Sequence, residues 1–232
     1  MKRIGIVLAV IGLLTQNAPA QTRELVLFPF GIGPAVQPTE EFNVGVELLN
    51  ALYAQLKQIP NLYVVRFRET NPSILRALEE NRLRRDRLVP PFNEREADGT
   101  WRAARIGAVM GANLAFAGRI EEFRYDPRTR EVTLTVSGDL IDVASGEVLL
   151  SVAETGRGRL GSGEEDPNLA RIAAVAQAAE RIGAAIRARL VPAEPSPAAS
   201  EPPKRVDQRN ERAVFSLFML ILGALLADYS NR

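Results

Sequence analysis

Neither cysteine nor histidine occurs among the 232 residues of this chain. That double absence is the first constraint on its fold. With no disulfide and no Cys/His metal site to close its loops, the domain has to be held by packing, which demands a sizeable core. The same absence removes thiolate nucleophiles, imidazole bases and haem ligation by either residue. Composition meets the demand for a core, with 46% hydrophobic and 25% charged residues, ordinary values for a globular protein. The 29 basic and 28 acidic side chains nearly cancel, whereas a nucleic-acid binder shows a basic excess on one face. A binding or structural role is favoured over an enzyme, with no cofactor called for and no nucleic acid as partner.

The two ends of the chain set an expected compartment. Residues 1–20 read as a secretory signal: Lys2 and Arg3 form a positive start, Ile4 to Leu14 an apolar run, and Ala18-Pro19-Ala20 a small-residue cleavage site. Cleavage would leave Gln21 as the new terminus. No cysteine follows the apolar run, so lipid attachment there is excluded. At the other end, Ala213 to Ala227 is apolar apart from Ser216 and Gly223. Residues 213–228 are expected to be a transmembrane helix, although fifteen helical residues cover roughly 22 Å against about 30 Å of hydrocarbon. Snorkelling by Arg212 and Tyr229 can make up the difference. The alternative is a helix docked on the domain or on a neighbouring subunit. The linker, residues 191–212, carries prolines at 192, 195, 197, 202 and 203 and reads as an extended, solvated spacer. Lys204, Arg205, Arg209 and Arg212 precede the run and only Arg232 follows it, which is opposite to the positive-inside pattern for an exported domain.

Residues 21–190 hold the periodic signal and predict one α/β domain. Leu25-Val26-Leu27-Phe28 has the unbroken apolar pattern of a strand covered on both faces, ended by Pro29 and Gly31-Ile32-Gly33-Pro34. Thr39 is the expected cap of a helix whose apolar stripe is Phe42, Val46, Leu49, Tyr53 and Leu56. Leu62 to Phe67 reads as a second strand, and Asn71-Pro72 as a cap with proline at the first helical position. Arg82 to Asp98 is charge-dense and contains Pro90-Pro91, which suggests a frayed helix end and a long exposed loop. A short helix from Trp101 to Met110 follows, with Trp101 packing it to the core. Then come three strands, of which Val132, Leu134, Val136 and Leu140 alternate with polar residues as in a half-buried antiparallel strand. Asp142 is placed to stabilise the turn before Gly146. Asp166-Pro167 opens a long helix with the stripe Leu169, Ile172, Ala176, Ala179, Ile182, Ile186 and Leu190. The expected order is β-α-β-α-α-β-β-β-α, a mixed sheet with helices laid against it.

Few residues suggest chemistry. Gly156-Arg157-Gly158-Arg159-Leu160-Gly161 fits G-x-G-x-x-G, but it follows an antiparallel strand and lies too far from the helix at Pro167 to cradle a dinucleotide. A flexible arginine-bearing loop is the simpler expectation, with an anion contact through Arg157 and Arg159 as the functional one. Glu121 and Glu122, adjacent on a strand, face opposite ways, and Asp139 and Asp142 have the same difficulty. A carboxylate-only glycan hydrolase therefore has little support. A serine nucleophile activated by lysine would need Lys57 or Lys204, and neither sits like a buried base. Arg82, Arg84, Arg85 and Arg87 form a basic cluster offset by Glu79, Glu80 and Asp86. With Phe92 expected on an exposed loop beside them, these residues and Arg157 and Arg159 are the candidate partner contacts.

Four segments carry a family resemblance. They are Leu25-Val26-Leu27-Phe28-Pro29-Phe30, the helix Ile74-Leu75-Arg76-Ala77-Leu78-Glu79-Glu80, the stretch from Ile106 to Gly118 with Gly107, Gly111 and Ala112, and Leu140-Ile141-Asp142-Val143-Ala144-Ser145-Gly146-Glu147-Val148. In that order they resemble the periplasmic domain of the curli-secretion-channel (CsgG-type) family. The N-terminal domain of the Tol-system β-propeller protein and the outer-membrane lipoprotein activator of peptidoglycan synthases share a similar fold. The lipidated cysteine of the channel subunits is missing here, as are long alternating segments for a transmembrane barrel. The resemblance implies the fold, an envelope location and contacts with envelope proteins or with further copies of the chain. The expected function is a non-enzymatic, exported, membrane-tethered interaction domain in envelope assembly or secretion. The alternative is a ring-forming subunit of a secretion channel.

Overall fold

Residues 22–37 and 41–191 are described by the computed structural model. The expected signal, the Thr39 cap, the proline-rich linker and the apolar C-terminal run lie outside the described residues. Among the described residues no helix is long and apolar enough to cross a membrane.

Strand β1 (Arg23–Leu27) starts on the charged Arg23 and Glu24 and is apolar from Leu25 onward, where both of its faces are covered. It pairs in parallel with β3 (Leu62–Arg66) on one flank and with the start of β4 (Leu114–Asp126) on the other. Beyond β4 the sheet continues antiparallel through β5 (Glu131–Asp142) and β6 (Val148–Arg159), giving the order β3-β1-β4-β5-β6. The expected order of elements holds, with one addition. Gly31–Val36, read as a terminator, is a short strand β2 that pairs in parallel with the second half of β4. Gly33 makes this possible: a Cβ there would stand 2.8 Å from the Ile120 carbonyl oxygen.

Helices cover both faces. On one side lie α1 (Val44–Leu56) and α4 (Pro167–Leu190), over Leu25, Leu27, Val64, Phe116, Leu134 and Val136. On the other side lie α2 (Pro72–Glu79) and α3 (Arg102–Met110), over Val26, Phe28, Ala115 and Ala117. The second pair covers only the parallel half, so β5 alternates buried Val132, Leu134 and Val136 with half-buried polar residues. A bulge in β4 between Ile120 and Glu122 lets Ile120 and Phe123, three apart, both reach the first core.

Two helical stripes differ from expectation in part: Leu56 of α1 and Ala179, Ile182 and Ile186 of α4 are buried as read, while the N-terminal part of each stripe is rotated. Asn43, not Thr39, caps α1, its Oδ1 accepting from the Val46 N–H at 3.1 Å. The buried positions are then Val44, Leu48, Leu52 and Leu56, while Val46 is 48% exposed. In α4 the residues against the sheet are Ala170, Ala174 and Ala178, while Leu169 and Ile172 face outward. The cause is the glycine pair on β6. A Cβ on Gly156 would lie 2.0 Å from the Ala174 carbonyl oxygen, and one on Gly158 would lie 1.9 Å from that of Ala170. Helix and strand backbones therefore touch, and only small side chains fit between them. The G-x-G segment is a packing surface on a regular strand, a correction to the expected flexible loop.

Substituting Gly158→Ala should cost about 3 kcal/mol or more, since neither backbone can yield enough. Gly161→Ala, where the nearest atom is a Glu164 carboxylate oxygen at 3.3 Å, should change stability by no more than about 0.5 kcal/mol. Urea denaturation midpoints of the two variants check this.

Candidate partner-binding surfaces

The segment expected to be a long exposed loop is folded onto the sheet. Leu83, Leu88 and Phe92 are buried, and Phe92 lies against Phe28 and Phe67 with ring centroids 4.8 and 5.1 Å apart. Phe92 is therefore a core residue with no surface to offer a partner, because the apolar side of α2 and α3 needs it as a filler. What ties the segment down is Arg102, buried at the start of α3. Its Nε donates to Glu96 Oε1 at 3.1 Å, one terminal nitrogen to the Pro91 carbonyl at 2.8 Å and the other to Glu94 Oε2 at 3.0 Å. Beside it Arg95 stacks over the ring of Trp101, 4.3 Å from its centre. Trp101 packs against this core, as expected.

Arg82, Arg84 and Arg87 line one small pocket of about 260 Å³ with Glu96, Arg102 and Arg105. Five arginines converge there, yet each has an acid at hand. Arg82 pairs with Glu80, Arg84 with Asp86, Arg87 with Asp86 and Glu96, and Arg105 with Asp98. Surface pairs of this kind are worth little individually, but together they leave the pocket close to neutral. Arg85 lies outside its lining. Arg157 and Arg159 lie apart from this cluster, on exposed positions of β6, where Arg157 is 3.8 Å from Glu131.

The carboxylates singled out by sequence have structural duties. Glu121 Oε1 accepts from the Ser137 hydroxyl at 2.5 Å, and Asp139 Oδ1 from the Ser151 hydroxyl at 2.6 Å. Asp142 Oδ1 accepts from the Ser145 N–H at 2.8 Å and from the Ser145 hydroxyl at 2.9 Å, closing the turn in which Gly146 has φ 71°. The bond from the Ser145 N–H, followed by that from its hydroxyl, holds the Asp142 carboxyl below its ordinary value of 3.8.

A larger groove of about 630 Å³ was missed by the sequence reading. It runs along the outer edge of β3, lined by Tyr53, residues 63–66, Arg68 and the Thr70-Asn71-Pro72 start of α2. No acid is in its lining. Arg66 sits with its guanidinium carbon 4.0 Å from the centre of the Tyr53 ring and donates to Asn50 Oδ1 at 2.8 Å. Its Nε is buried without an acceptor, and neither Arg66 nor Arg68 has an acid within ion-pair distance among the described residues. Tyr63 is 61% exposed. A tyrosine–arginine spacing on a short strand carries no motif, so the signal lies in the strand order, which places β3 at the edge.

No family model and no curated protein matches the sequence. The fold is similar to several solved structures. One is the PelC dodecamer of Paraburkholderia phytofirmans, 15% identical, covering 69% of this chain and 87% of that one at a TM-score of 0.42. Another is lipoprotein GNA1162 of Neisseria meningitidis, 14% identical over 62% and 85% at 0.38. A third is the C-terminal domain of LpoB from Salmonella enterica, 14% identical over 60% and 85% at 0.37. Lipoproteins are thus among the structures this chain is similar to. At such identities the likeness bears on neither activity nor partner.

Two consequences follow for stability. Arg102→Met should cost about 3 kcal/mol, because Glu96 and the Pro91 carbonyl lose a buried partner, and thermal or urea unfolding measures it. Asp142→Ala should cost about 1 kcal/mol at neutral pH. Because the native carboxyl titrates below 3.8, its contribution is complete above that pH and is lost as pH falls through the native value. The difference between wild type and variant should therefore narrow in urea titrations run below about pH 3.8.

Proposed function

We propose that this chain is a non-enzymatic, exported interaction domain of the cell envelope, tethered to a membrane by its C-terminal apolar segment. The observation that carries the interaction role is the β3 groove. It is an open channel of about 630 Å³ along an unpaired strand edge, with two arginines that no described acid neutralises. Unpaired edges are ordinarily blunted or covered in monomeric proteins. The carboxylates that a hydrolase would need are instead held by serines and by a turn, which favours binding over catalysis.

The exported and tethered parts of the reading rest on residues 1–20 and 213–228 of the sequence. The linker between domain and tether, about twenty residues rich in proline, would allow a reach of several tens of Å. Alkaline-carbonate extraction of membranes tests the tether, comparing the full chain with one ending at Leu190. Retention of the full chain alone in the pellet is the expected result. If both forms wash off, the apolar segment packs on protein and the tether is wrong.

A further inference from the structure

We propose that the outer edge of β3 receives one further strand, an extended segment of a partner protein carrying acidic side chains that pair with Arg66 and Arg68. The inference deepens the interaction role by naming the kind of partner, and it rests on that reading.

The edge is chemically ready for a strand. Asn61 accepts from the Arg23 N–H at 2.9 Å and Phe67 donates to the Leu27 carbonyl at 3.0 Å, so the odd-numbered residues of this stretch bond inward to β1. In a parallel ladder the alternate residues turn their N–H and C=O groups the other way. Val64 and Arg66 therefore present main-chain donors and acceptors outward, and no described strand pairs with them. Five residues at about 3.3 Å each make an edge roughly 16 Å long.

The flanks select what can add there. Successive residues of a strand point to opposite faces, so Arg66 lies towards α1, over Tyr53, and Tyr63 towards the other face of the sheet. An added strand in the sheet plane would run between these two tyrosines. Its alternate side chains would meet an arginine with an unsatisfied Nε on one side and a largely exposed aromatic ring on the other. Arg68, at the end of the edge, adds a second positive charge with no described acid in ion-pair contact. Carboxylates are the groups that satisfy a guanidinium fork, and main-chain addition to a sheet edge supplies the remaining affinity. The arginines around the Arg82–Arg87 pocket compete poorly for the same segment because each lining arginine is already paired with an acid.

The edge at β6, the opposite end of the strand path, makes the contrast. On β6 the Arg157 N–H donates to Gln177 Oε1 at 2.8 Å, and the carbonyls of Thr155 and Leu149 accept from Arg181 and Arg189 at 2.8 and 2.9 Å. Side chains of α4 thus occupy main-chain groups of β6. On β3 no described side chain does so; the Leu62 N–H alone is met, by the Ile59 carbonyl at 3.4 Å, at the start of the strand and away from Val64 and Arg66.

The test uses the full chain and the peptide Thr-Glu-Val-Glu-Val-Glu-Thr-amide, carrying an uncharged fluorophore on its N-terminus and followed by anisotropy. Three comparisons accompany it: a glutamine-for-glutamate peptide, and two peptides N-methylated on alternate residues, one for each set. The expected result is saturable binding that the glutamine peptide loses by about tenfold or more, the size of a charged hydrogen bond. One N-methylated set should abolish binding and the other leave it intact, because only one set faces β3. Arg66→Gln and Arg68→Gln, confirmed folded by circular dichroism, should each weaken binding severalfold, and Arg84→Gln should not. Equal binding of the glutamine peptide, equal binding of the two methylated sets, a loss confined to Arg84→Gln, or no binding at all would each overturn the proposal. Failure here with carbonate retention intact removes the edge site and leaves the tether; the reverse pattern removes the tether and leaves the site.

Discussion

The contact on which the domain most depends is the touch between two backbones, α4 against β6. Gly156 and Gly158 leave no side chain between strand and helix, and Ala170, Ala174 and Ala178 answer them from the other side. Such proximity gives up large apolar side chains at that spot. It returns dense packing, which is what a chain without disulfides has to rely on. It also fixes the rotation of a 24-residue helix, since only its alanine face can come so near. With α4 seated, α1 packs beside it, and the two together cover the antiparallel half of the sheet as well as β1.

The opposite face is held by a different kind of interaction. The segment from Arg82 to Trp101 has few regular hydrogen bonds of its own, and a stretch of that kind is normally mobile surface. Here Arg102 gathers the Pro91 carbonyl, Glu94 and Glu96 around one buried guanidinium. That knot brings Phe92 down onto the stacked rings of Phe28 and Phe67. Two acids of the charge-dense stretch from Arg82 to Asp98, Glu94 and Glu96, are thus structural. Pairing between acids and arginines also explains why an arginine-rich pocket is a poor anion site.

Most of the architecture was legible because it follows from burial. The unbroken apolar run at Leu25 to Phe28 marks a strand covered on both faces, and the alternation at Val132 to Leu140 marks one covered on a single face. Both readings hold, as do the Asn71-Pro72 cap and the Asp142 turn. What could not be read depends on contacts distant in sequence. The face of α4 is set by glycines about a dozen or more residues earlier, so periodicity alone chose Leu169 and Ile172. Phe92 looked exposed because its neighbours are prolines and charges, while the rings that bury it lie at positions 28 and 67. The candidate edge site has no local signature, since it arises from where β3 falls in the sheet.

The two strands that end the path β3-β1-β4-β5-β6 differ in how their edges are covered. β6 is long, and twelve residues of bare edge would be an aggregation hazard. Gln177, Arg181 and Arg189 reach over from α4 and occupy several of its main-chain groups. β3 has five residues, short enough that an open edge is tolerable, and positive charge beside it discourages pairing with a second copy of the same strand. Parallel, in-register pairing of two such edges would bring Arg66 and Arg68 against their own counterparts, like charges in close opposition. A segment of opposite charge meets no such penalty. The same arginines that guard the edge against self-association therefore leave it open to an acidic strand.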